Sequence, residues 1–221
     1  MSIGSFYENK RDAGIITLQP SAAQLQAFTE FAQLLPKAAA AAQRRAINKT
    51  LGWLRTHIAR AVGKQERIAV GAVRQRLRSY PVSGGAMRGK LWFGVNAIEA
   101  SRVGRARNTR SGVSVAGRRY QGAFYKKVYG AQADIWIRTA SKHFSVNDYP
   151  ETKVVPRPGS SSGWVAENNN RFPLAKAKVS LEGVRPHFDS WNRRADERLL
   201  HVLKQELNFE LQKYLKGNAR V

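Results

Sequence analysis

The chain has 221 residues, and 43% of them are hydrophobic, which is enough for one domain with a substantial core. Lys and Arg total 38 against 15 Asp and Glu, so the formal net charge is +23 and attraction to DNA, RNA or acidic protein surfaces is expected. Cysteine is absent, which excludes disulfides, thiolate metal sites and cysteine nucleophiles. The first 20 residues lack a signal-peptide pattern and no apolar run reaches 18 residues, so we expect a cytoplasmically made protein without a membrane span.

Residues 1–20 predict an extended N-terminal arm, because polar residues and glycine dominate and Pro20 ends the segment. A short strand is expected at 15–18. Such a segment cannot fold alone, so we expect it to be mobile or to dock on a neighbouring subunit. Ser21 then predicts a helix N-cap, and "AAQLQAFTEFAQLL" predicts a first helix that Pro36 interrupts.

The clearest helix is "KAAAAAQRRAINKTLGWLRTHIARAV", and Gly63 is its expected end. Its apolar residues recur at helical spacing on one face. They are Ile47, Leu51, Leu54, Ile58 and Ala61. A second short helix is expected at "RIAVGAVRQRL", so helices should occupy about 21–79. The many Lys and Arg here suit a solvated outer face as well as an anion-binding one.

Strands are expected from about 90 to 156. "KLWFGVNAIEA" predicts one strand, and "VSVAGRRYQGAFYKKVYGAQADIWIRTA" predicts two or three more with turns at glycine. Between them, "SRVGRARNTRSG" predicts a mobile loop. "YPETKVVPRP" adds another extended piece, and "GSSSGWVAENNNRFP" predicts a loop insertion over about 157–173.

The last segment predicts an amphipathic helix over about 189–216, with Asp189 as its cap and Gly217 at its end. Its apolar stripe is Phe188, Trp191, Ala195, Leu199, Leu203, Leu207, Leu211 and Tyr214. Strands grouped between helices predict an α+β fold, with an antiparallel sheet flanked by a long N-terminal helix pair and a long C-terminal helix. After the arm, residues 21–217 should form a single domain. The expected core is Leu51, Leu54, Ile58, Trp191, Leu199 and Leu203.

We find no sequence pattern typical of an enzyme. The four histidines, His57, His143, His187 and His201, do not have the spacing of a zinc site, and no HExxH motif occurs. No phosphate-binding glycine loop or GxSxG elbow occurs, and the carboxylates are few and scattered. We therefore predict a protein that is not an enzyme, with no catalytic residue, no cofactor and no metal.

Arginines dominate the stretch from 101 to 119, and residues 101–112 include no acid. The candidate residues for facing DNA or an acidic partner are Arg102, Arg105, Arg107, Arg110, Arg118 and Arg119. The alternative is a solvated loop whose charges are screened within about 8 Å. The nearby aromatic residues Tyr120, Phe124, Tyr125 and Tyr129 could stack bases, although alternating aromatic residues usually fill the core face of a sheet.

Several stretches together resemble the prophage minor tail protein Z family, the tail-completion proteins of long non-contractile phage tails. They are "AAAAQRRAINKTLGWLRTHIARAV", "ERIAVGAVRQRLR", "RRYQGAFYKKV" and "NDYPETKVVPRP", followed by the closing amphipathic helix. The resemblance runs from about Pro36 to Lys216. The chain departs from the family pattern in the longer insertion "RPGSSSGWVAENNNRF" and in its first 35 residues.

The resemblance implies a virion structural protein that is assembled in the host cytoplasm and lies at the head-proximal end of the tail. Its implied partners are further copies of itself in a ring, expected to be a hexamer, together with the tail terminator, the tail tube and the head–tail connector. DNA passes along the axis of such a ring, so the packaged DNA end is a further implied partner, and no membrane is involved. The alternative function is sequence-independent nucleic-acid binding.

Overall fold

A computed structural model describes residues 6–10, 13–19, 31–83, 87–128, 131–149, 154–155, 164–165 and 173–218. Its contacts form two compact units. The first contains Met1–Arg60, Arg74–Gly94 and Val184–Val221, and the second contains Ala61–Val73 and Val95–Gly183. The predicted α+β class, with antiparallel sheets and long N-terminal and C-terminal helices, is confirmed, while a single domain over 21–217 stays a prediction. None of the helices in the described ranges is long and apolar enough to cross a membrane.

The first unit contains a long C-terminal helix and all but the last turns of a long N-terminal helix, and apolar residues at helical spacing explain both. Helix α1 spans Pro36–Gln65 and helix α3 spans Phe188–Asn218, while the short helix α2 at Val70–Gln75 lies between them in sequence. The six residues of the predicted core are all less than a tenth exposed, so this prediction is confirmed. Asp189 lies inside α3 and does not precede it, and Gly217 is still helical.

The apolar stripe of α3 is buried only along the first half of the helix. Phe188, Ala195 and Leu203 are buried, whereas Leu211 and Tyr214 are exposed. The apolar spacing thus continues beyond the part of the helix that is packed, since helical periodicity does not reveal where the packing partner ends.

The first unit also contains a four-stranded antiparallel sheet in the order β1-β2-β4-β3. Its strands are β1 at Phe6–Lys10, β2 at Ala13–Leu18, β3 at Leu77–Tyr80 and β4 at Gly89–Gly94. Its inner face buries Ile16, Leu91 and Phe93, and the Phe93 ring lies 5.4 Å from that of Phe188 on α3.

The N-terminal segment is extended as predicted, but it is not a free arm. Strand β2 pairs with β4 over six residues, from Ala13 opposite Gly94 to Leu18 opposite Gly89. The expectation of a mobile or neighbour-bound segment is therefore corrected for β1 and β2, which complete the sheet of their own chain. The physical reason is apolar burial, because Ile16 and Leu18 are at most 1% exposed. The first predicted helix lies largely outside the described residues, although 31–34 are helical.

The second unit begins with the last turns of α1, which continues past Gly63 to Gln65. The helix ends where Arg67 adopts a positive φ of 50° and the Ile68 amide donates to the Gly63 carbonyl over 2.9 Å. This is the hydrogen-bond pattern of a Schellman turn, here with a left-handed arginine in place of the usual glycine. The predicted end at Gly63 is thus wrong by two residues.

The described residues of the second unit also form a series of short strands. They are β5 at Ile98–Glu99, β6 at Arg107–Thr109, β7 at Gly112–Val115, β8 at Arg118–Gln121, β9 at Phe124–Lys126, β10 at Asp134–Arg138, β11 at Val154–Val155, β12 at Trp164–Val165, β13 at Leu174–Lys176 and β14 at Lys178–Val179. Their antiparallel sheets have the orders β6-β7-β8, β13-β10-β9, β14-β5 and β11-β12. Within the described ranges, 3₁₀ helices lie at Ala100–Arg102 and Glu182–His187, the latter divided between the two units.

The prediction of a mobile loop over 101–112 is wrong, because this stretch contains a 3₁₀ turn and then strand β6 and the start of β7. Arginine-rich composition predicted the loop, but pairing of β6 with β7 fixes the backbone. The insertion predicted at 157–173 lies mostly outside the described residues, which there include only β12 and Pro173.

Candidate nucleic-acid interface

Two of the candidate arginines lie side by side on one face of the sheet β6-β7-β8. Ser114 on β7 is opposite Arg107 on β6 and opposite Arg119 on β8. Residues that are directly opposite share a face, so both arginines project from the same side of the sheet. With neighbouring strands about 4.8 Å apart, their backbone positions are separated by about 10 Å. Arg107 and Arg119 are exposed.

The other face of this sheet is buried, and its packing holds the strands that carry Arg107 and Arg119 in position. Val113, Val115 and Tyr120 are all at most 6% exposed. Asn108 on β6 joins the sheet to β9, since its amide donates to the Tyr125 carbonyl at 3.3 Å and its carbonyl accepts from the Tyr125 amide at 2.8 Å. Arg107 and Arg119 therefore stand on a packed scaffold.

A depression of about 330 Å³ lies at the β6–β7 turn. Its polar lining residues are Thr109, Arg110, Ser111, Ser114, Arg119 and Gln121. Gly112 makes the turn possible, because its φ is +150° and a Cβ there would lie 2.0 Å from the Tyr120 carbonyl oxygen. Hydroxyl groups and two guanidinium groups around one depression suit an anion such as a phosphate. We call Arg107, Arg110 and Arg119 the arginine face.

The charge of the arginine face is uncompensated within the part of the chain that the structure describes. No described carboxylate lies within 4 Å of Arg107, Arg110 or Arg119, nor of the exposed Arg105. Like charges on one sheet face repel one another, and an anion bound there would relieve that repulsion.

The two other candidate arginines are engaged within the protein. Arg102 lies 3.9 Å from Glu99, one turn away. Arg118 projects from the opposite side of β8 to Arg119, and its guanidinium donates to the Glu66 carbonyl at 2.5 Å and the Arg67 carbonyl at 3.2 Å. These carbonyls follow the C-terminal end of α1, where a cation is favoured. Arg118 is thus positioned as a helix-capping residue.

The aromatic residues beside the arginine face do not form an open stacking surface. Tyr120 is buried, its ring centroid lies 6.1 Å from that of Tyr149, and burial raises the pKa of Tyr120. Phe124 and Tyr125 are half-buried. Tyr129 lies outside the described residues.

A second polar cluster in this unit is a closed ion-pair network. Asp134 accepts from the Ser101 hydroxyl at 2.6 Å and from the Lys176 ammonium at 3.0 Å, and Lys176 also donates to Glu99 at 3.1 Å. Burial alone would lower the pKa of Lys176, but the hydrogen bonds to Asp134 and Glu99 outweigh it and raise the pKa. A lysine held charged in this way fixes β10 to β13 and is not poised to accept a proton. Over the described ranges, no three His, Cys, Asp or Glu side chains form a group that could hold a metal ion.

Sequence reasoning missed the small polar residues that accompany the arginines, Ser111, Ser114 and Gln121. The signal was present in the alternation of "GVSV" and "RRYQ", in which every second residue is polar or glycine. Applied to both strands, this alternation would have assigned Arg118 and Arg119 to opposite faces of the sheet.

Comparison of the chain with protein-family models, curated proteins and solved structures finds no match.

Proposed function

We propose that this chain is a structural protein of a phage tail, of the tail-completion type, and that its arginine face contacts DNA. It would act at the head-proximal end of the tail, in a ring around the DNA path, and support tail completion, head–tail joining and placement of the DNA end. The proposal is supported by the residue stretches that resemble the minor tail protein Z family. The observation that carries the DNA contact is the row Arg107–Ser114–Arg119 beside Arg110, in which the arginines are exposed and have no described carboxylate nearby.

The proposed contact would be with phosphates and independent of sequence. Guanidinium groups bind phosphate oxygens. The logarithm of the DNA-binding constant falls linearly with the logarithm of the salt concentration, and each neutralised phosphate of a duplex adds about 0.9 to the steepness of that fall. Three arginines, each neutralising one phosphate, therefore account for about 2.7 of the magnitude of this salt slope. Replacing Arg107, Arg110 and Arg119 by Gln should reduce the slope by up to this amount and should leave folding intact, because all three side chains are exposed.

A matched control keeps the same change in net charge. Arg44, Arg55 and Arg60 are also exposed, and they lie on α1. Replacing these three by Gln removes three positive charges elsewhere. If both triple variants bind a 20-base-pair duplex with the same reduced slope, the arginine face has no special role and only net charge matters.

The place in the particle is tested separately. Cryo-electron microscopy of particles carrying a tagged copy should locate the chain at the head-proximal end of the tail, and native mass spectrometry should find a ring, expected to be a hexamer. In the particle, the arginine-face variant should lower infectivity and leave tail length unchanged. A monomer that is absent from particles but binds duplex with nanomolar affinity at physiological salt would instead favour the alternative, a sequence-independent nucleic-acid-binding protein.

A further inference from the structure

A second basic surface lies in the first unit, on the outer face of strands β3 and β4. Leu77 and Leu91 project inward and are buried, so the residues that alternate with them project outward. In the paired strands Arg78 is opposite Trp92, and Tyr80 is opposite Lys90. Two cations and two aromatic rings therefore share one sheet face. We call Arg78, Tyr80, Lys90 and Trp92 the stacking patch.

The geometry of Trp92 leaves its ring flat on the sheet. The next residue on the same face is Gly94, and a Cβ there would lie 2.6 Å from the tip of the Trp92 ring. The ring thus covers the backbone of Gly94 and turns its other face outward. The Arg78 guanidinium carbon lies over the Trp92 ring, 5.9 Å from its centroid, so a cation lies next to the aromatic face.

The surroundings of the patch are basic as well. The segment Arg74–Gly94 contains five Lys and Arg and no acid. Arg78 and Lys90 are exposed, and Tyr80 is 51% exposed, which is high for an aromatic side chain. An aromatic pair that only completed the core would be buried, as Tyr120 is in the second unit. The patch therefore combines two exposed cations with one exposed ring, Tyr80, and one half-buried ring, Trp92.

We propose that the stacking patch binds single-stranded nucleic acid, with bases stacked on Trp92 and Tyr80 and phosphates against Arg78 and Lys90. This combination of a basic groove and aromatic platforms is how proteins bind single strands without reading sequence. Tyr80 and Trp92 are diagonal neighbours, with about 7–8 Å between their positions. That is about twice the 3.4 Å rise per nucleotide of a stacked strand, so the rings suit bases of an extended strand. The bases of a duplex are paired and stacked on one another, so they are not free to stack on Trp92 and Tyr80.

The test measures binding of a labelled 20-nucleotide oligo(dT), of an abasic oligonucleotide with the same phosphates, and of a 20-base-pair duplex. Trp92→Leu and Tyr80→Leu should each weaken oligo(dT) binding at least about fivefold, the lower limit for losing one stacked base. Binding of the abasic strand and of the duplex should change less than twofold. Trp92→Phe should retain most of the affinity, because an aromatic face remains.

The control is Tyr214→Leu, since Tyr214 on α3 is 46% exposed and matches Tyr80 in residue type and exposure. Gly94→Ala tests the position of the ring, because the added Cβ displaces Trp92 and should weaken oligo(dT) binding as well. The proposal is overturned if Tyr80→Leu binds oligo(dT) like the wild type, or if Tyr214→Leu loses as much. It is also overturned if abasic and base-containing strands bind equally, since charge alone then suffices.

Failure of this proposal can be told apart from failure of the proposed function. The arginine-face variant retains all four patch residues, so its oligo(dT) affinity should keep the dependence on Trp92 and Tyr80. The duplex salt slope and the location in the particle depend on neither ring. If circular dichroism shows that Trp92→Leu is unfolded, oligo(dT) binding by Tyr80→Leu still tests the proposal, because Tyr80 is exposed and its replacement should leave the fold intact.

Discussion

Glu206 on α3 is the most informative residue for testing the packing of the first unit. Its side chain is only 7% exposed and accepts from the Arg45 Nε at 2.6 Å and from the Lys49 Nζ at 2.5 Å, both on α1. Arg45 also donates to Glu210 at 2.6 Å. Replacing Glu206 by Gln keeps the shape of the side chain and removes the charge that joins the two helices.

The size of the effect follows from the burial of each partner. Removing one member of a fully buried ion pair costs about 3–5 kcal/mol, because the remaining charge is left without compensation. Arg45 and Lys49 are 36% and 64% exposed, and Arg45 keeps Glu210, so the remaining charges are partly solvated or paired. We therefore expect Glu206→Gln to lower the free energy of unfolding by about 2–3 kcal/mol. For a chain of this length, that lowers Tm by about 4–12 °C.

The pH dependence gives a second, independent readout. Burial alone would raise the pKa of Glu206, but the hydrogen bonds from Lys49 and Arg45 outweigh it and hold the pKa below its ordinary value of 4.5. A carboxylate with a depressed pKa stabilises the fold above the unfolded pKa, and this contribution is lost as pH falls through the folded pKa. The difference in unfolding free energy between wild type and Glu206→Gln should be full near neutral pH and should shrink below pH 4.5.

Urea unfolding followed by circular dichroism at neutral and acid pH measures both quantities. Glu197→Gln is the matched control, since Glu197 lies on the same helix, is exposed, and undergoes the same loss of charge. The reasoning is refuted if Glu206→Gln and Glu197→Gln are equally stable at neutral pH, or if the gap to wild type widens in acid.

Three further outcomes follow from the described contacts. Deleting residues 2–19 removes β1 and β2 and should abolish cooperative thermal unfolding of the first unit. A thermal transition retained at the wild-type Tm would show that pairing of β2 with β4 is not needed for the fold of this unit. Arg118→Gln should cost about 1.5–3 kcal/mol and increase hydrogen exchange after α1, whereas Arg119→Gln should change stability by less than about 0.5 kcal/mol. Tyr149→Phe should be neutral or stabilising, because the buried hydroxyl makes no hydrogen bond within the described residues and burial raises the pKa of the phenol; a loss above about 2 kcal/mol would reveal a partner.

The sequence alone predicted the fold class, the two long helices and their buried residues. Leu51, Leu54 and Ile58 recur at helical spacing, and any helix with this pattern must bury that face to remove it from water. The same local reasoning placed strands at "KLWFGV" and "DIWIR", where β4 and β10 lie. It also established the charge excess, because net charge depends on composition and not on folding.

The tertiary structure decided which residues the sheets bring together. Strand β2 joins β4 across more than 70 residues, and no local pattern encodes such a pairing. Neighbouring Arg118 and Arg119 have the same chemistry, yet alternation along β8 turns one toward the end of α1 and the other toward solvent. The arginine face thus depends on the register of three strands, since a shift of one residue would exchange its charged side chains for Val113 and Tyr120.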